Sequence, residues 1–196
     1  MTERCFALQQ LERMVGPVVL QVPGHDPAMM ALARRLTEAQ PLIELEETSG
    51  SDLCISDGWG RPTGICFRGL PQGQELQVLL DDLVAVSRGS TGLSPLGRMQ
   101  AKELPEGAQL WVLATPACLR CSQAARLAHA IALESGGRLT ATVVDVSERL
   151  DLIERFGATT VPWFVVNEAQ SFAGPLPELL LIQRIADVAA SRLTTD

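Results

Sequence analysis

The stretch from Trp111 to Cys121, WVLATPACLRC, limits what this chain can become more than any other. Trp111 to Thr115 is an apolar, β-branched run that predicts a buried strand, and Pro116-Ala117 ends it just before two cysteines separated by two residues. From Cys121 onward Ala124, Ala125, Ala128, Ile131 and Ala132 recur at helical spacing, so the cysteine pair is expected on the first turn of a helix. Strand, turn and CxxC at a helix start together point to redox chemistry.

The rest of the composition narrows the alternatives. The chain has five cysteines in 196 residues, an odd count with only Cys118 and Cys121 close together, which does not describe a secreted disulfide framework. Cys5, Cys54 and Cys66 lie in apolar segments and are expected to behave as small hydrophobes. A closed zinc site needs four ligands, normally two such pairs, and neither histidine has suitable spacing, so no metal is expected. His129 falls eight residues after Cys121, off the core-facing stripe, and is expected on a helix flank; His25 is expected to serve a turn. A net charge of -7 with no basic cluster argues against nucleic acid or an anionic membrane as partner. No stretch approaches the roughly 18 apolar residues of a membrane span, and Met1 to Cys5 offers no secretory signal, which together predict a cytoplasmic protein.

Read in order, residues 2 to 15 carry a helix-like pattern in Phe6, Leu8, Leu11, Met14 and Val15, and Val18 to Val22 a strand. Asp26 and Pro27 cap and open a helix whose core face is Met29, Leu32, Ala33 and Leu36. Pro41 to Glu46 reads as a second strand. Leu53 to Ser56 and Gly64 to Arg68 read as a hairpin, and the helix through Leu76, Leu79, Leu80, Leu83 and Val84 stops near Gly89. After the linker-like Gly89-Ser90-Thr91-Gly92, Ser94-Pro95 opens a short helix. The second half then predicts βαβαββα: the cysteine strand and helix, a strand over Leu139 to Asp145, a helix capped by Ser147 through Phe156, strands at Trp163 to Val166 and Gln170 to Ala173, and a closing helix from Leu179 to Leu193.

The halves repeat each other. Leu20-Gln21-Val22-Pro23 matches Leu113-Ala114-Thr115-Pro116, and Phe67-Arg68-Gly69 matches Phe172-Ala173-Gly174, each followed by a proline and a terminal helix. Residues 1–89 and 94–196 are therefore expected as two folds of one kind. The first has too few residues between its second strand and its hairpin for the helix expected after Ser147. In this overlay His25 takes the place of Cys118 and Ala28 that of Cys121, so the first copy lacks the chemistry.

A thiol attacks a disulfide as its thiolate, and Cys118, at the electropositive start of a helix, is placed to be that anion. Arg120 adds a nearby cation if its side chain turns to the sulfur rather than to solvent. Cys121, one turn further in on the buried face, is expected as the resolving thiol. About forty residues downstream, Thr160-Val161-Pro162 precedes a strand, where a cis proline would expose backbone groups to an extended substrate.

On Cys118-Leu119-Arg120-Cys121, Val161-Pro162 and the late Phe172-Ala173-Gly174 the chain resembles the thioredoxin superfamily. Over nearly its whole length, including Phe67-Arg68-Gly69 and the helix entry Gly73-Gln74-Glu75-Leu76, it resembles the N-terminal domain of the alkyl hydroperoxide reductase flavoprotein subunit, two tandem thioredoxin-like folds of which the first is degenerate and lacks the cysteine pair. The resemblance implies Cys118 as nucleophile, Cys121 as resolving cysteine and Pro162 as the substrate-side cis proline, with electrons passing from a flavin-linked dithiol to a peroxiredoxin or other protein disulfide. No flavoprotein portion is present, so it implies no cofactor in this chain and a separate flavin-dependent reductase as donor. Ser122 stands where a proline is common, and Val112 where thioredoxin has its buried aspartate, leaving proton transfer from Cys121 to water or a residue elsewhere. The alternative function is a redox-sensitive adaptor that does not turn over.

Overall fold

In the computed structural model, which describes residues 9–147 and 149–193, the strands of both halves join one eight-stranded sheet. In chain order they are β1 (Val18–Pro23), β2 (Ile43–Thr48), β3 (Leu53–Asp57), β4 (Pro62–Arg68), β5 (Ala108–Ala114), β6 (Leu139–Asp145), β7 (Trp163–Val166) and β8 (Gln170–Ala173). Across the sheet the order is β2-β1-β3-β4-β6-β5-β7-β8, and the halves meet where β4 runs parallel to β6, Ile65 opposite Ala141 and Arg68 opposite Val144. The helices are α1 (Pro27–Ala39), α2 (Gly73–Arg88), α3 (Pro95–Lys102), α4 (Leu119–Glu134), α5 (Leu150–Arg155) and α6 (Glu178–Leu193), preceded by a 3-10 turn at Gln10–Arg13.

Period-two alternation gives the sheet two unlike faces. Val18, Leu20, Val22, Leu53, Ile55, Ile65, Phe67, Leu110, Val112, Ala141 and Val143 point to one side, into a single core that spans both halves and takes residues from every helix but α5. Among the described residues the other side is covered only in the second half, where Leu113, Val144, Val146 and Val165 pack under Leu152, Ile153 and Phe156. No helix follows β2, because only four residues, 49–52, separate it from β3.

Local chemistry sets the ends of the helices. Asp26 accepts from the N–H groups of Ala28 and Met29, with Pro27 in the first turn. Ser94 accepts from Gly97 N–H, and Gly89, left-handed at φ 58°, closes α2. Several expected boundaries move, β4 starting earlier at Pro62 and β5 earlier at Ala108 among them. Pro41 and Leu42 lie in a turn and β2 begins at Ile43; α5 starts at Leu150 without a side-chain cap, because the Ser147 hydroxyl donates to Asp145 Oδ1 instead. Of the N-terminal pattern, Leu11 and Met14 are core residues, whereas Cys5, Phe6 and Leu8 lie outside the described residues. Among the described residues no helix is long and apolar enough to cross a membrane.

Candidate active site

The strand β5 delivers the chain to the cysteines, and a hydrogen-bonded turn sets their direction. Cys118 N–H donates to Thr115 carbonyl oxygen at 3.0 Å, which folds Pro116-Ala117 over and leaves Cys118 as the N-cap of α4. Its sulfur accepts the Cys121 N–H at 3.1 Å, taking up one of the donors that a helix start leaves without a partner. Cys118 and Cys121 are joined as a disulfide with Cα atoms 5.2 Å apart. The two sulfurs differ in access: Cys118 is half-buried and Cys121 is 2% exposed. Beside them Leu119 is 64% exposed, an apolar side chain held out at the rim.

Two other segments meet this loop. The Val161–Pro162 peptide is cis, and β7, starting at Trp163, runs antiparallel to β5 with Trp163 opposite Leu113. Pro162 carbonyl oxygen accepts from Gly174 N–H, while the Val161 N–H has no partner among the described residues. Val161 packs with Cys118 against the core; Thr160 is exposed and its hydroxyl donates to Val161 carbonyl oxygen at 3.4 Å. Arg120 is exposed and makes no hydrogen bond or ion pair with other described residues, so it points to solvent.

The second segment comes from the first half, and the sequence alone does not place it. Gln74 N–H, in the first turn of α2, donates to Pro116 carbonyl oxygen at 2.9 Å, which locks α2 under the cysteine loop. Gly73 makes that contact possible: its φ is +51°, and a Cβ there would sit 2.7 Å from the Pro116 oxygen. The next residue but one, Glu75, is only 4% exposed and its Oε1 has no hydrogen-bond partner among the described residues. Burial, reinforced by the negative charge of Asp145 and opposed by a backbone hydrogen bond at Gln72, pushes its carboxyl up to about 7. Asp145 is the residue paired across from Ala114 at the end of β5, so this carboxyl lies at the same end of the sheet as the cysteines.

Residues 109–187 match the family model described as a thioredoxin domain. The second half has the fold of a thioredoxin domain. Both halves together are similar to the alkylhydroperoxide reductase AhpF of Enterococcus faecalis, at 19% identity over 93% of this chain and 97% of that one, with a TM-score of 0.83. They are also similar to a protein disulfide oxidoreductase from Aeropyrum pernix, at 20% identity over 96% and 92%, TM-score 0.82. A further likeness is to Sso1120 from Sulfolobus solfataricus, at 17% identity over 86% and 99%, TM-score 0.68. The fold is thus a tandem of thioredoxin-like units. No curated protein matches the sequence.

Counted from the helix caps rather than from the repeated prolines, the degenerate unit matches the thioredoxin domain one residue later than the sequence overlay suggests. Asp26, not His25, holds the position of Cys118: its carboxylate accepts from Ala28 N–H and Met29 N–H, the second of which stands three residues on, as the Cys121 N–H that the Cys118 sulfur accepts does. His25 is exposed in the preceding turn. Two other expectations are corrected. His129 is not on a flank: it is 0% exposed, with Nδ1 2.7 Å from Asp82 Oδ2 and its ring edge-on to Phe67. It is buried because α2 packs across α4, which widens the covered stripe beyond one helix face; burial in turn raises the Asp82 carboxyl, against the pull of His129. Nor are Cys54 and Cys66 separate hydrophobes, since they form a disulfide across the β3–β4 hairpin. Each looks like a core residue in its own run, and only the register of the hairpin puts one opposite the other.

Proposed function

We propose that this chain is a thiol–disulfide oxidoreductase that works through the Cys118/Cys121 couple. The observation that carries the reading is the asymmetry of the pair: one sulfur accessible and hydrogen-bonded at a helix N-cap, its partner buried a turn behind. In the reduced form, Cys118 ionises because the free N–H groups of the first turn stabilise the thiolate. A protein disulfide docks along Thr160, Val161 and Pro162, using the open Val161 N–H, with Leu119 as an apolar contact. Cys118 attacks one target sulfur, the other leaves as a thiolate, and a mixed disulfide forms. Cys121 then gives up its proton, attacks Cys118 and releases the second target thiolate, so that the target gains two electrons and the chain closes its own disulfide.

With Val112 in the preceding strand, we assign acceptance of the Cys121 proton to Glu75, a carboxyl of the other half that is buried at the same end of the sheet and pushed up to about 7. Arg120, directed to solvent, contributes long-range charge at most. The likeness to an alkylhydroperoxide reductase and a protein disulfide oxidoreductase supports a relay in which the dithiol of a separate flavin-dependent reductase supplies electrons, and a peroxiredoxin or other protein disulfide takes them.

The test is catalytic. With dithiothreitol as reductant, the chain should speed reduction of insulin or a peroxiredoxin disulfide, Cys118→Ser should abolish the effect, and Cys121→Ser should accumulate a mixed disulfide with the target. Equal rates for the chain and Cys118→Ser would refute turnover and favour the adaptor.

A further inference from the structure

The first half holds a disulfide of its own. Cys54 and Cys66 stand directly opposite each other in the antiparallel β3–β4 ladder, with Cα atoms 4.2 Å apart, the close spacing of a pair that exchanges no backbone hydrogen bonds. Because the strands fix both Cα atoms, breaking the sulfur bond separates nothing, and the two thiols stay in position to rejoin. Their neighbours Leu53, Ile55, Ile65 and Phe67 point into the core, so the cysteines lie on the opposite face, where the first half has no helix among the described residues. Cys54 is half-buried in the wall of a shallow depression formed with Gln21, Thr48, Gly50, Ser51 and Asp52, whereas Cys66 is 8% exposed. Access is therefore from solvent and to one sulfur.

The dithiol of the same chain cannot use that access. The α4 helix, with Cys118 at its start, packs on the other face of the sheet, and Cys66 is separated from β5 by β6, two strand spacings or roughly 10 Å sideways. We propose that Cys54 and Cys66 form a second reversible dithiol–disulfide couple, opened by the thiolate of a separate molecule, either a small thiol or the dithiol of another copy of this chain. The donor thiolate attacks Cys54, the sulfur–sulfur bond breaks, and its electron pair leaves on Cys66. Arg68 lies two residues further along the same face, its guanidinium held by Asp52 at 2.8 Å and set over the Trp111 ring, which adds a cation to that side of the sheet. A second donor thiolate attacks the donor sulfur of the mixed disulfide and frees Cys54. Two donor thiols become one disulfide, and their two protons pass to Cys54 and Cys66.

The full chain carrying Cys5→Ser, Cys118→Ser and Cys121→Ser leaves this pair alone, independent of the couple proposed above. Held in glutathione buffers of stepped ratio without denaturant, then acid-quenched, alkylated and weighed by intact mass spectrometry, it should pass from zero to two alkyl groups in one two-electron step. A second arm replaces glutathione with the reduced wild-type chain; reduction in either arm supports the couple and identifies its donor. In the same background, oxidised glutathione should modify Cys54 of a Cys66→Ser variant about tenfold faster than Cys66 of a Cys54→Ser variant, following exposure. Circular dichroism of the reduced form should match that of the oxidised form. Two free thiols in air-oxidised protein, reduction only after denaturation, or loss of the fold on reduction would each overturn the proposal.

Discussion

Glu75→Gln should make the oxidised protein more stable above neutral pH, and the gain should fade to a constant as the pH falls. In the folded chain the carboxyl titrates near 7 against an ordinary 4.5, because burial and the charge of Asp145 disfavour its ionised form. A folded pKa above the unfolded one means that the native state holds the extra proton: the contribution is complete below the unfolded value, declines as pH rises from about 4.5, and is gone above about 7. The difference of about 2.5 between the two values corresponds to ~3 kcal/mol, at roughly 1.36 kcal/mol for each pH unit. The introduced amide does not titrate, so any fixed cost of burying it offsets the comparison equally at every pH.

The assay is urea unfolding of both proteins between pH 4 and 8 with the Cys118–Cys121 disulfide closed, so that neither thiol titrates. The stability of Glu75→Gln relative to wild type should climb by about 3 kcal/mol across that range, most of it between pH 5 and 7. Asp145→Asn should move the inflection down, since it removes the like charge. A flat difference would mean that Glu75 titrates as an exposed carboxylate, and its proposed part in deprotonating Cys121 would fall with it.

Gly73→Ala puts a Cβ 2.7 Å from the Pro116 oxygen at a left-handed φ, and should cost about 1 to 2 kcal/mol by thermal unfolding; target reduction should slow as well, because Pro116 leads directly into Cys118. His129→Ala leaves Asp82 buried without its partner and should cost about 3 kcal/mol in urea unfolding. That loss should grow with pH, because Asp82, already pushed up by burial, then faces ionisation alone. Asp26→Ala removes the acceptor for two helix N–H groups and should cost about 1 kcal/mol in the same measurement, with no change in target reduction.

What is legible in the sequence is what depends on neighbours along the chain. The Asp26-Pro27 and Ser94-Pro95 helix starts, the close of α2 at Gly89 and the cysteine helix follow from local donors, acceptors and 3.6-residue periodicity, and each stands where those predict. Most of what differs depends on contacts between distant segments. His129 reads as peripheral on one helix taken alone, without the second helix that covers it. Cys54 and Cys66 need the hairpin register to meet. Ser147 is a local failure, lost as a cap to a carboxylate two residues away. Glu75 does carry a signal: an acid at the third position of a predicted helix, in a chain whose strand before the cysteines lacks one.

The placement of Glu75 bears on why a chain keeps a half with no CxxC. Both halves place an anion-accepting helix start after their first strand, but the occupant in the first is the Asp26 carboxylate, which can accept hydrogen bonds and cannot exchange electrons. What the first half offers to the CxxC site lies at its other end. Its last helix begins under the cysteine loop, with Gly73 allowing the approach, Gln74 bonding Pro116 and Glu75 burying a carboxyl at the same end of the sheet, the group proposed above as proton acceptor. A continuous sheet through β4 and β6 and one shared core hold that helix end in place. The second half alone would keep both cysteines and the cis proline yet lose the support of the loop and the acid beside it, so the degenerate unit is better understood as one wall of the site than as a vestige.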